Sequence, residues 1–420
     1  MIIDSTGSIG SSFDLPTLSS RIVKLSDWKR PLLAFDPSLK EKVSTILTDI
    51  KTGGDQQIEF YAEKFDKQKV AILELQPFDN YKLEKSLASS IKIAATRIEK
   101  FAQFQIDSGA QTNSFTDECG EYGQNIIPIE RIGAYIPGGR FPLISTALMT
   151  LIPAKVAKCP VRIACSPSNH PAILAAASIA GATKFIHIGG VQAIAALAFG
   201  YSGEPKVDLV VGPGNAWVNE AKNQIQSQTK IDGLAGPSEL LALCDGEQNV
   251  EYLALDALAQ SEHDPLACSI IASDNLNWLS SLENYLTKNE DTKALLDNKQ
   301  IELLQVKDVK ALRDFSNQYA AEHLMLCHKL IQEQDLINYG SIFIGENSAV
   351  AFGDYISGPN HTLPTLANAR QSGGLSVANF QKILTRQKIS DQGRVALAQN
   401  AMPIAEAEGL KFHYQSMKVR

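Results

Sequence analysis

The sequence lacks the patterns that would place it in several specialised classes. Its six cysteines are scattered and form no Cys-x-x-Cys pair, so neither a thiolate metal site nor a disulfide framework is indicated, and reduced, buried thiols are expected. Basic side chains are outnumbered, with 39 Lys and Arg against 46 Asp and Glu. This balance argues against nucleic acid as the main partner and gives no support for binding to an anionic membrane surface.

Long apolar runs are also missing. Apolar stretches such as residues 171–182 are too short to span a bilayer. Residues 1–16 contain no basic region followed by a sustained apolar segment, as a secretory signal would require. These absences predict a cytoplasmic protein.

What is present is an ordinary globular composition over 420 residues, with 44% apolar and 20% charged residues. From residue 131 onwards, short apolar segments, glycine-containing turns and Ala-rich helical segments alternate, which is typical of βαβ units. The predicted fold class is therefore α/β, with two incomplete Rossmann-like parallel-sheet domains plus small N- and C-terminal segments.

The predicted boundaries follow these changes of pattern. Residues 1–25 form an N-terminal arm, and residues 26–130 combine with 238–367 in a first α/β domain. Residues 131–237 form a second, Rossmann-like domain, and residues 368–420 form a C-terminal segment. One Ile-rich strand is predicted over residues 125–135, and Ser145 is expected to cap the helix that follows.

Three turns in the second domain join a predicted strand to a helix and could contact a ligand. Tyr135 precedes Pro-Gly-Gly at 137–139, Gly189-Gly190 precedes Gln192, and Gly-Pro-Gly at 212–214 precedes Asn215. Such turns lie at the carboxyl ends of parallel strands, where open α/β sheets bind ligands. The GxGxxG dinucleotide fingerprint is absent, so each turn alone is equally consistent with an ordinary tight connection.

Further polar groups lie outside these turns. Gln260 and His263 are three residues apart and share one helix face, and Glu322-His323 supplies a carboxylate beside an imidazole. Asp354 and His361 lie in a glycine-rich loop, and Glu408 and His413 lie near the C-terminus. Taken singly, each has a simpler interpretation: a solvated helix end, an ordinary surface pair, or a solvated tail. His328 is assigned to the surface.

Taken together and in this order, the segments resemble the histidinol dehydrogenase family over nearly the whole chain. The most specific stretch is 231–239 (IDGLAGPSE), which continues through Asp256 to 260–263 (QSEH). The supporting segments are 133–139 (GAYIPGG), 190–200 (GVQAIAALAFG), 212–222 (GPGNAWVNEAK), 321–324 (AEHL), 353–355 (GDY), 360–365 (NHTLPT) and 408–413 (EGLKFH).

The resemblance implies a role for each of these polar residues. The positions that match zinc ligands are Gln260, His263, Asp354 and His413. Glu322 and His323 match the catalytic acid/base pair, and Tyr135, Gln192 and Asn215 match positions that contact NAD. Ser238, His361 and Glu408 match positions that contact the substrate, which the metal ligands and His323 would also touch.

It also implies an activity and an assembly. The expected enzyme is an NAD-dependent alcohol and aldehyde dehydrogenase with one Zn²⁺ per subunit. It would oxidise L-histidinol through L-histidinaldehyde to L-histidine, in the last step of histidine biosynthesis. The expected assembly is an intertwined homodimer in which the C-terminal segment completes the partner's site.

Two departures from the family pattern leave alternatives open. Gly233 stands where Met is usual, and Arg140-Phe141 follows the Pro-Gly-Gly turn where smaller residues are common. One alternative is a related zinc/NAD dehydrogenase that acts on another small polar alcohol. Two further alternatives do not depend on these departures: a hydrolase that uses zinc-bound water, and a non-catalytic α/β binding protein.

Overall fold

The computed structural model describes residues 21–30, 37–138, 142–234, 236–262 and 264–420. The strands are β1 (Ile22–Lys24), β2 (Ala71–Leu73), β3 (Asn113–Thr116), β4 (Gly120–Pro128), β5 (Arg131–Tyr135), β6 (Val161–Ser166), β7 (Lys184–His187), β8 (Leu209–Val211), β9 (Lys230–Ile231), β10 (Glu239–Cys244), β11 (Cys268–Ser273), β12 (Ile301–Gln305), β13 (His323–Cys327), β14 (Ser341–Ile344) and β15 (Gln381–Ile389). The α-helices are α1 (Pro37–Gly53), α2 (Asp55–Tyr61), α3 (Lys85–Ser108), α4 (Ile144–Val156), α5 (Pro171–Ile179), α6 (Gly190–Phe199), α7 (Ala216–Ile225), α8 (Val250–Ser261), α9 (Leu276–Leu286), α10 (Glu290–Asp297), α11 (Val309–Tyr319), α12 (Val350–Tyr355), α13 (Asp391–Ala407) and α14 (Lys411–Lys418).

The first sheet is parallel throughout and has the order β1-β12-β11-β10-β13-β14. Its central strands are continuous apolar runs because both of their faces are covered. In β10, Leu240 and Ala242 face the core beneath α8 and α9, whereas Leu241 and Leu243 face the core beneath α11. Because successive side chains of a strand point to opposite faces of the sheet, β10 contributes residues to both cores.

The second sheet has the order β2-β7-β6-β5-β8-β9 and is parallel except for β2, which runs antiparallel to β7. One core lies between this sheet and helices α3, α4 and α5, and the other lies between it and helices α1, α2, α6 and α7. The α/β class with two parallel-sheet units, predicted from the alternating pattern, is confirmed.

The early helices pack on the second sheet. Helix α1 contacts α6 and α7, and its apolar face, which includes Val43 and Ile50, belongs to a core of that sheet. The predicted boundary places residues 26–130 in the first domain. The packing of α1 on the second sheet differs from this prediction. The physical reason is that α1 covers a face that α6 and α7 leave open, and β2 then extends the same sheet at β7. Of the predicted arm, residues 22–24 form β1 in the first sheet, and residues 1–20 lie outside the described residues.

The single strand predicted over 125–135 is two strands in different sheets. β4 pairs with β15 and β3 in a small antiparallel sheet, whereas β5 belongs to the second parallel sheet. The chain changes sheet at Ile129, whose N–H donates to the carbonyl of Phe380 at 2.8 Å. Leu143, not Ser145, is the residue preceding α4.

The C-terminal segment extends away from the cores after Phe380. Val377 and Phe380 are buried in a core of the second sheet, but most of β15 is exposed. Helices α13 and α14 follow and pack on each other. Among the described residues, no helix combines the length and the apolar character needed to cross a membrane.

Candidate functional site

Several candidate residues meet at the edge of the first sheet where its strands begin. β10 starts at Glu239 and β13 starts at His323, and these two strands are neighbours. Glu322 is 6% exposed and His323 is 3% exposed, so the interpretation as an ordinary surface pair is wrong. A carboxylate and an imidazole that are buried side by side can exchange protons with a bound reactant.

Glu239 holds both of these side chains with its own backbone. Its N–H donates to Glu322 Oε2 at 2.8 Å, and its carbonyl oxygen lies 3.2 Å from His323 Nδ1. Glu322 Oε2 also lies 3.4 Å from His323 Nδ1. Because Nδ1 faces two acceptors, we assign the proton to it. Nε2 then carries the lone pair of the neutral ring and lies 3.8 Å from Asp354 Oδ1.

The surrounding charges make His323 more basic than a free imidazole. Burial lowers the pKa of His323, but the negative charge and hydrogen bond of Glu322, together with the charge of Asp354, raise it to about 9. For His361 the balance is opposite: burial lowers its pKa, and the nearby charges of Asp354 and Glu322 only partly oppose this effect. The site therefore contains two imidazoles whose pKa values are shifted in opposite directions, upward for His323 and downward for His361.

Gln260 is buried without a partner. It is 2% exposed, and neither its Oε1 nor its Nε2 has a hydrogen-bond partner. An unpaired buried amide is costly, at about 1–3 kcal/mol, so such a group usually serves a ligand or an ion. The interpretation of Gln260 as part of a solvated helix end is wrong.

Helix α12, which carries Asp354, packs against α8, which carries Gln260. Asp256, one turn before Gln260 on α8, accepts a hydrogen bond from the N–H of Val350 at the start of α12. Sequence reasoning did not assign Asp256 a role, although its spacing of four residues from Gln260 places both on one helix face. Asp256 therefore joins the two helices that present the amide and the carboxylate.

The donor set that the resemblance implies for a metal is only partly assembled within one chain. His263 lies outside the described residues, and His413 is exposed on α14. Among the described residues, no group of three or more His, Cys, Asp or Glu side chains is close enough to hold a metal ion. The unpaired Gln260 oxygen and the Asp354 carboxylate nevertheless fit a metal that accepts nitrogen and oxygen ligands, such as zinc.

His361 lies on a loop that links the two sheets. Its Nε2 is buried and has no hydrogen-bond partner, and the same holds for Oγ1 of the neighbouring Thr362. The neighbouring Asn360 donates through Nδ2 to the carbonyl of Met149 in α4, at 2.6 Å. The loop next to the first sheet is therefore tied to a helix of the second sheet.

The turns at Gly189-Gly190 and Gly212-Gly214 and the side chain of Tyr135 lie at the carboxyl ends of strands of the second sheet, and Gly139 lies outside the described residues. A carboxylate stabilises each of these two turns. The Tyr135 hydroxyl accepts a weak hydrogen bond from Gly190 N at 3.4 Å. Asp66 Oδ2 accepts hydrogen bonds from Gly189 N and from Gln192 Nε2, both at 3.0 Å. Asp66 was not singled out from the sequence, because no local pattern marks it. It fixes both the turn and the side chain of Gln192.

The turn that carries Asn215 is stabilised by a buried ion pair. Lys222 Nζ lies 2.5 Å from Asp232 Oδ1 and donates to the Gly212 carbonyl at 2.9 Å, while Asp232 Oδ2 accepts from Gly212 N at 2.7 Å. Asn215 itself caps α7, because its Oδ1 accepts from Trp217 N and Val218 N at 3.1 Å. Its side-chain oxygen thus already accepts two hydrogen bonds, whereas its side-chain nitrogen donates none to the described residues.

The remaining candidates are separated in this chain. Ser238 is half-buried next to the acid/base pair, immediately before β10, and its carbonyl accepts from Cys268 N at 3.0 Å. Glu408 follows α13 and is exposed, as is His413. The structure thus brings together Glu322, His323, Asp354 and His361, and it leaves the two tail residues on the surface.

Comparison with known proteins gives matches over nearly the whole length. The family model described as histidinol dehydrogenase matches residues 30–420. Histidinol dehydrogenase of Methanosarcina mazei is 38% identical over 403 residues, covering 90% of this chain and 91% of the relative. That of Thermus thermophilus is 37% identical over 398 residues, covering 92% and 96%. The crystal structure of histidinol dehydrogenase from Elizabethkingia anophelis superposes with a TM-score of 0.86 at 34% identity, covering 95% of this chain and 96% of that one.

The buried carboxyl of Asp256 predicts a pH-dependent stability difference. Burial raises the pKa of Asp256 from 3.8 to about 6, so the folded protein loses stability as pH rises through that value. Asp256→Asn removes the ionisation and keeps an oxygen that can accept from Val350. We expect the variant to become more stable relative to the wild type between pH 5 and pH 8. The difference in their melting temperatures should increase by the equivalent of about 1 kcal/mol in the free energy of unfolding.

The matched control is Glu251→Gln, which changes an exposed carboxyl in the first turn of the same helix. Its difference from the wild type should not grow between pH 5 and pH 8. An Asp256→Asn difference that is constant, or that shrinks with pH, would contradict the assignment of a raised pKa.

Proposed function

The chain belongs to the histidinol dehydrogenase family, and on this premise we propose how its residues carry out the family's reaction. The enzyme is an oxidoreductase that converts L-histidinol through L-histidinaldehyde to L-histidine with NAD as the hydride acceptor, in histidine biosynthesis. The observation that carries the assignment of residues is the buried Glu322–His323 pair beside Asp354. The unpaired Gln260 on α8, the helix that packs against α12, adds to it.

His323 is the general base of the first oxidation. With Nδ1 held by the Glu239 carbonyl, Nε2 is the atom that takes the hydroxyl proton of histidinol while hydride passes from the same carbon to NAD. A pKa raised to about 9 makes the neutral ring a stronger base than a free imidazole. Because only the neutral ring can accept the hydroxyl proton, this step is favoured as the pH rises towards 9. The products of this step are the aldehyde, NADH and protonated His323.

Glu322 serves the second oxidation. The aldehyde must add water to form its hydrate, and the Glu322 carboxylate removes a proton from that water as the new C–O bond forms. His323 then takes a hydroxyl proton of the hydrate while a second hydride passes to a second NAD, and histidine results. Both groups are buried, which keeps the reactive aldehyde away from bulk water.

The residues that would hold zinc are Gln260, His263, Asp354 and His413. When bound, zinc supplies a fixed positive charge that binds and orients the nitrogen atoms of the substrate. The fit rests on the unpaired oxygen of Gln260 and on the nearby carboxylate of Asp354. His361, whose pKa is lowered by burial and whose Nε2 is unpaired, is a proposed substrate contact, as is Ser238.

NAD is proposed to contact Tyr135, Gln192 and Asn215. The support is their common location at the carboxyl ends of the second sheet's strands, where doubly wound sheets bind ligands. The two carboxylates of Asp66 and Asp232 already occupy the N–H groups of Gly189 and Gly212. We therefore expect the dinucleotide to be recognised through side chains more than through a glycine-rich phosphate loop.

We also propose a homodimer in which Glu408 and His413 complete the partner's site. The support is the exposed apolar surface of the C-terminal segment, where Phe412 is 79% exposed, and Val395 and Ile404 are also exposed. Such a surface is typical of an interface. A cytoplasmic location belongs to the same proposal, since all six cysteines are free thiols, as a reducing compartment maintains them.

The decisive assay follows NADH formation by the purified protein with L-histidinol. We expect about two NADH per histidinol consumed, and loss of activity after treatment with a chelator that Zn²⁺ restores. Turnover of another amino alcohol in preference to histidinol would favour the related-dehydrogenase alternative. Hydrolytic activity without NAD would contradict the proposal and favour a zinc hydrolase.

The two half-reactions separate the roles of the acid/base pair. His323→Asn should lower kcat with both histidinol and histidinaldehyde by about 10²–10⁴-fold. Glu322→Gln should leave oxidation of the alcohol within about threefold of the wild type and lower oxidation of the aldehyde by about 10²-fold, because only the second step needs activated water.

The matched control is Glu346→Gln at the opposite edge of the first sheet, where the carboxylate only accepts a hydrogen bond from Asn249 N at 2.7 Å. The kcat of this variant with histidinol and with histidinaldehyde should equal that of the wild type. Equal losses in both half-reactions for Glu322→Gln would refute this division of labour.

The proposed dimer predicts complementation between two inactive variants. Subunits of His323→Asn and His413→Ala are mixed, unfolded and refolded together. If the tail histidine serves the partner, each hybrid dimer has one intact site, so the mixture should regain about a quarter of the wild-type activity. Activity no greater than that of the two variants refolded separately would show that His413 does not act across the subunits.

A further inference from the structure

Glu239 has a buried side chain that the reaction does not use. It is 5% exposed, and its carboxylate forms an ion pair with Arg30 and accepts a hydrogen bond from Leu366 N at 3.3 Å. Burial raises the pKa of Glu239, and the positive charge of Arg30 opposes this effect. The guanidinium thus favours the ionised form of a carboxyl group whose own backbone contacts the acid/base pair.

Arg30 also contacts the segment that leads to the acid/base pair from the other side. Its Nη1 donates to the carbonyl of Tyr319 at 2.8 Å, and its guanidinium lies 4.2 Å from the centre of the Tyr319 ring. Tyr319 ends α11, and the chain reverses at Ala320 with a φ of 54° before reaching Glu322 two residues later. One side chain therefore fixes both segments that flank the pair.

We infer that Arg30 and Glu239 are positioning residues for the oxidation: their ion pair holds the start of β10 so that the Glu239 N–H and carbonyl orient Glu322 and His323. This inference rests on the proposed function of that pair. Arg30 lies more than two hundred residues before Glu239 in the sequence, so the N-terminal segment takes part in the chemistry without touching the reactant.

The expected effect falls on kcat. A displacement of about 1 Å in a catalytic group can reduce a rate by about 10²-fold. Binding of NAD should change little, because the turns proposed to contact NAD belong to the second sheet. Arg30→Met and Glu239→Gln should each lower kcat by about 10–100-fold and leave the KM for NAD within about twofold of the wild type. The double variant should be no worse than the more damaged single variant, because both changes break the same pair.

The matched control is Arg21→Met. Arg21 belongs to the same N-terminal segment and also forms an ion pair with the first domain, through Nε to Asp297 Oδ1 at 2.6 Å, but it is remote from the acid/base pair. If Arg30 only anchored this segment, Arg21→Met would lower kcat as well. We expect it to keep the wild-type kcat.

Steady-state kinetics of the full-length variants with histidinol and NAD, with His323→Asn included, tests the inference. A folded Arg30→Met variant with wild-type kcat overturns it, and so does a rise in the KM for NAD that accounts for the whole loss. If Arg30→Met does not fold, Arg30→Lys keeps the charge but loses the planar contacts, and it must still lower kcat by about threefold or more. If His323→Asn greatly lowers kcat and neither Arg30 variant does, only the positioning role is refuted. If His323→Asn keeps the wild-type kcat, the proposed function itself is refuted.

Discussion

The hydrogen bonds made by the backbone of Glu239 define the geometry of the candidate active site. Its N–H fixes Glu322 and its carbonyl fixes the tautomer of His323, so the orientation of both groups depends on where β10 begins. Neighbouring parallel strands place residues from distant parts of the sequence side by side at that edge. Because the backbone of a central strand is rigid, it positions these side chains more accurately than a loop would.

The first sheet uses its amino edge for this purpose, whereas the second sheet presents its candidate turns at its carboxyl edge. The hydrogen bond from Asn360 to Met149 ties the two units together next to His361. The unpaired atoms of Gln260 and His361 have the same explanation. Both are buried polar groups without a partner, and a bound ion or substrate would satisfy them.

Much of the fold could be predicted from local sequence. The apolar runs that form β6 and β10 and the Ala-rich helices α5 and α6 alternate along the chain, as expected for a parallel sheet covered by helices. The domain to which α1 belongs could not be predicted, because its apolar face would fit either sheet. His328, assigned to the surface, is buried at the end of β13 near Asp274, since the polarity of one residue does not reveal what covers it.

The sequence by itself determined the α/β class and, through the specific segments around residues 231–239 and 260–263, the family, and it supplied the residues proposed for the site. Only the tertiary structure decided that Glu322 and His323 are buried, and that Arg30, Asp66 and Asp256 support the site. Their contacts join segments that are far apart in the chain, and no local pattern encodes such contacts. Glu408 and His413 are exposed in the single chain. In the proposed homodimer, the interface between the subunits would decide whether they reach a site, and no single fold specifies such an interface.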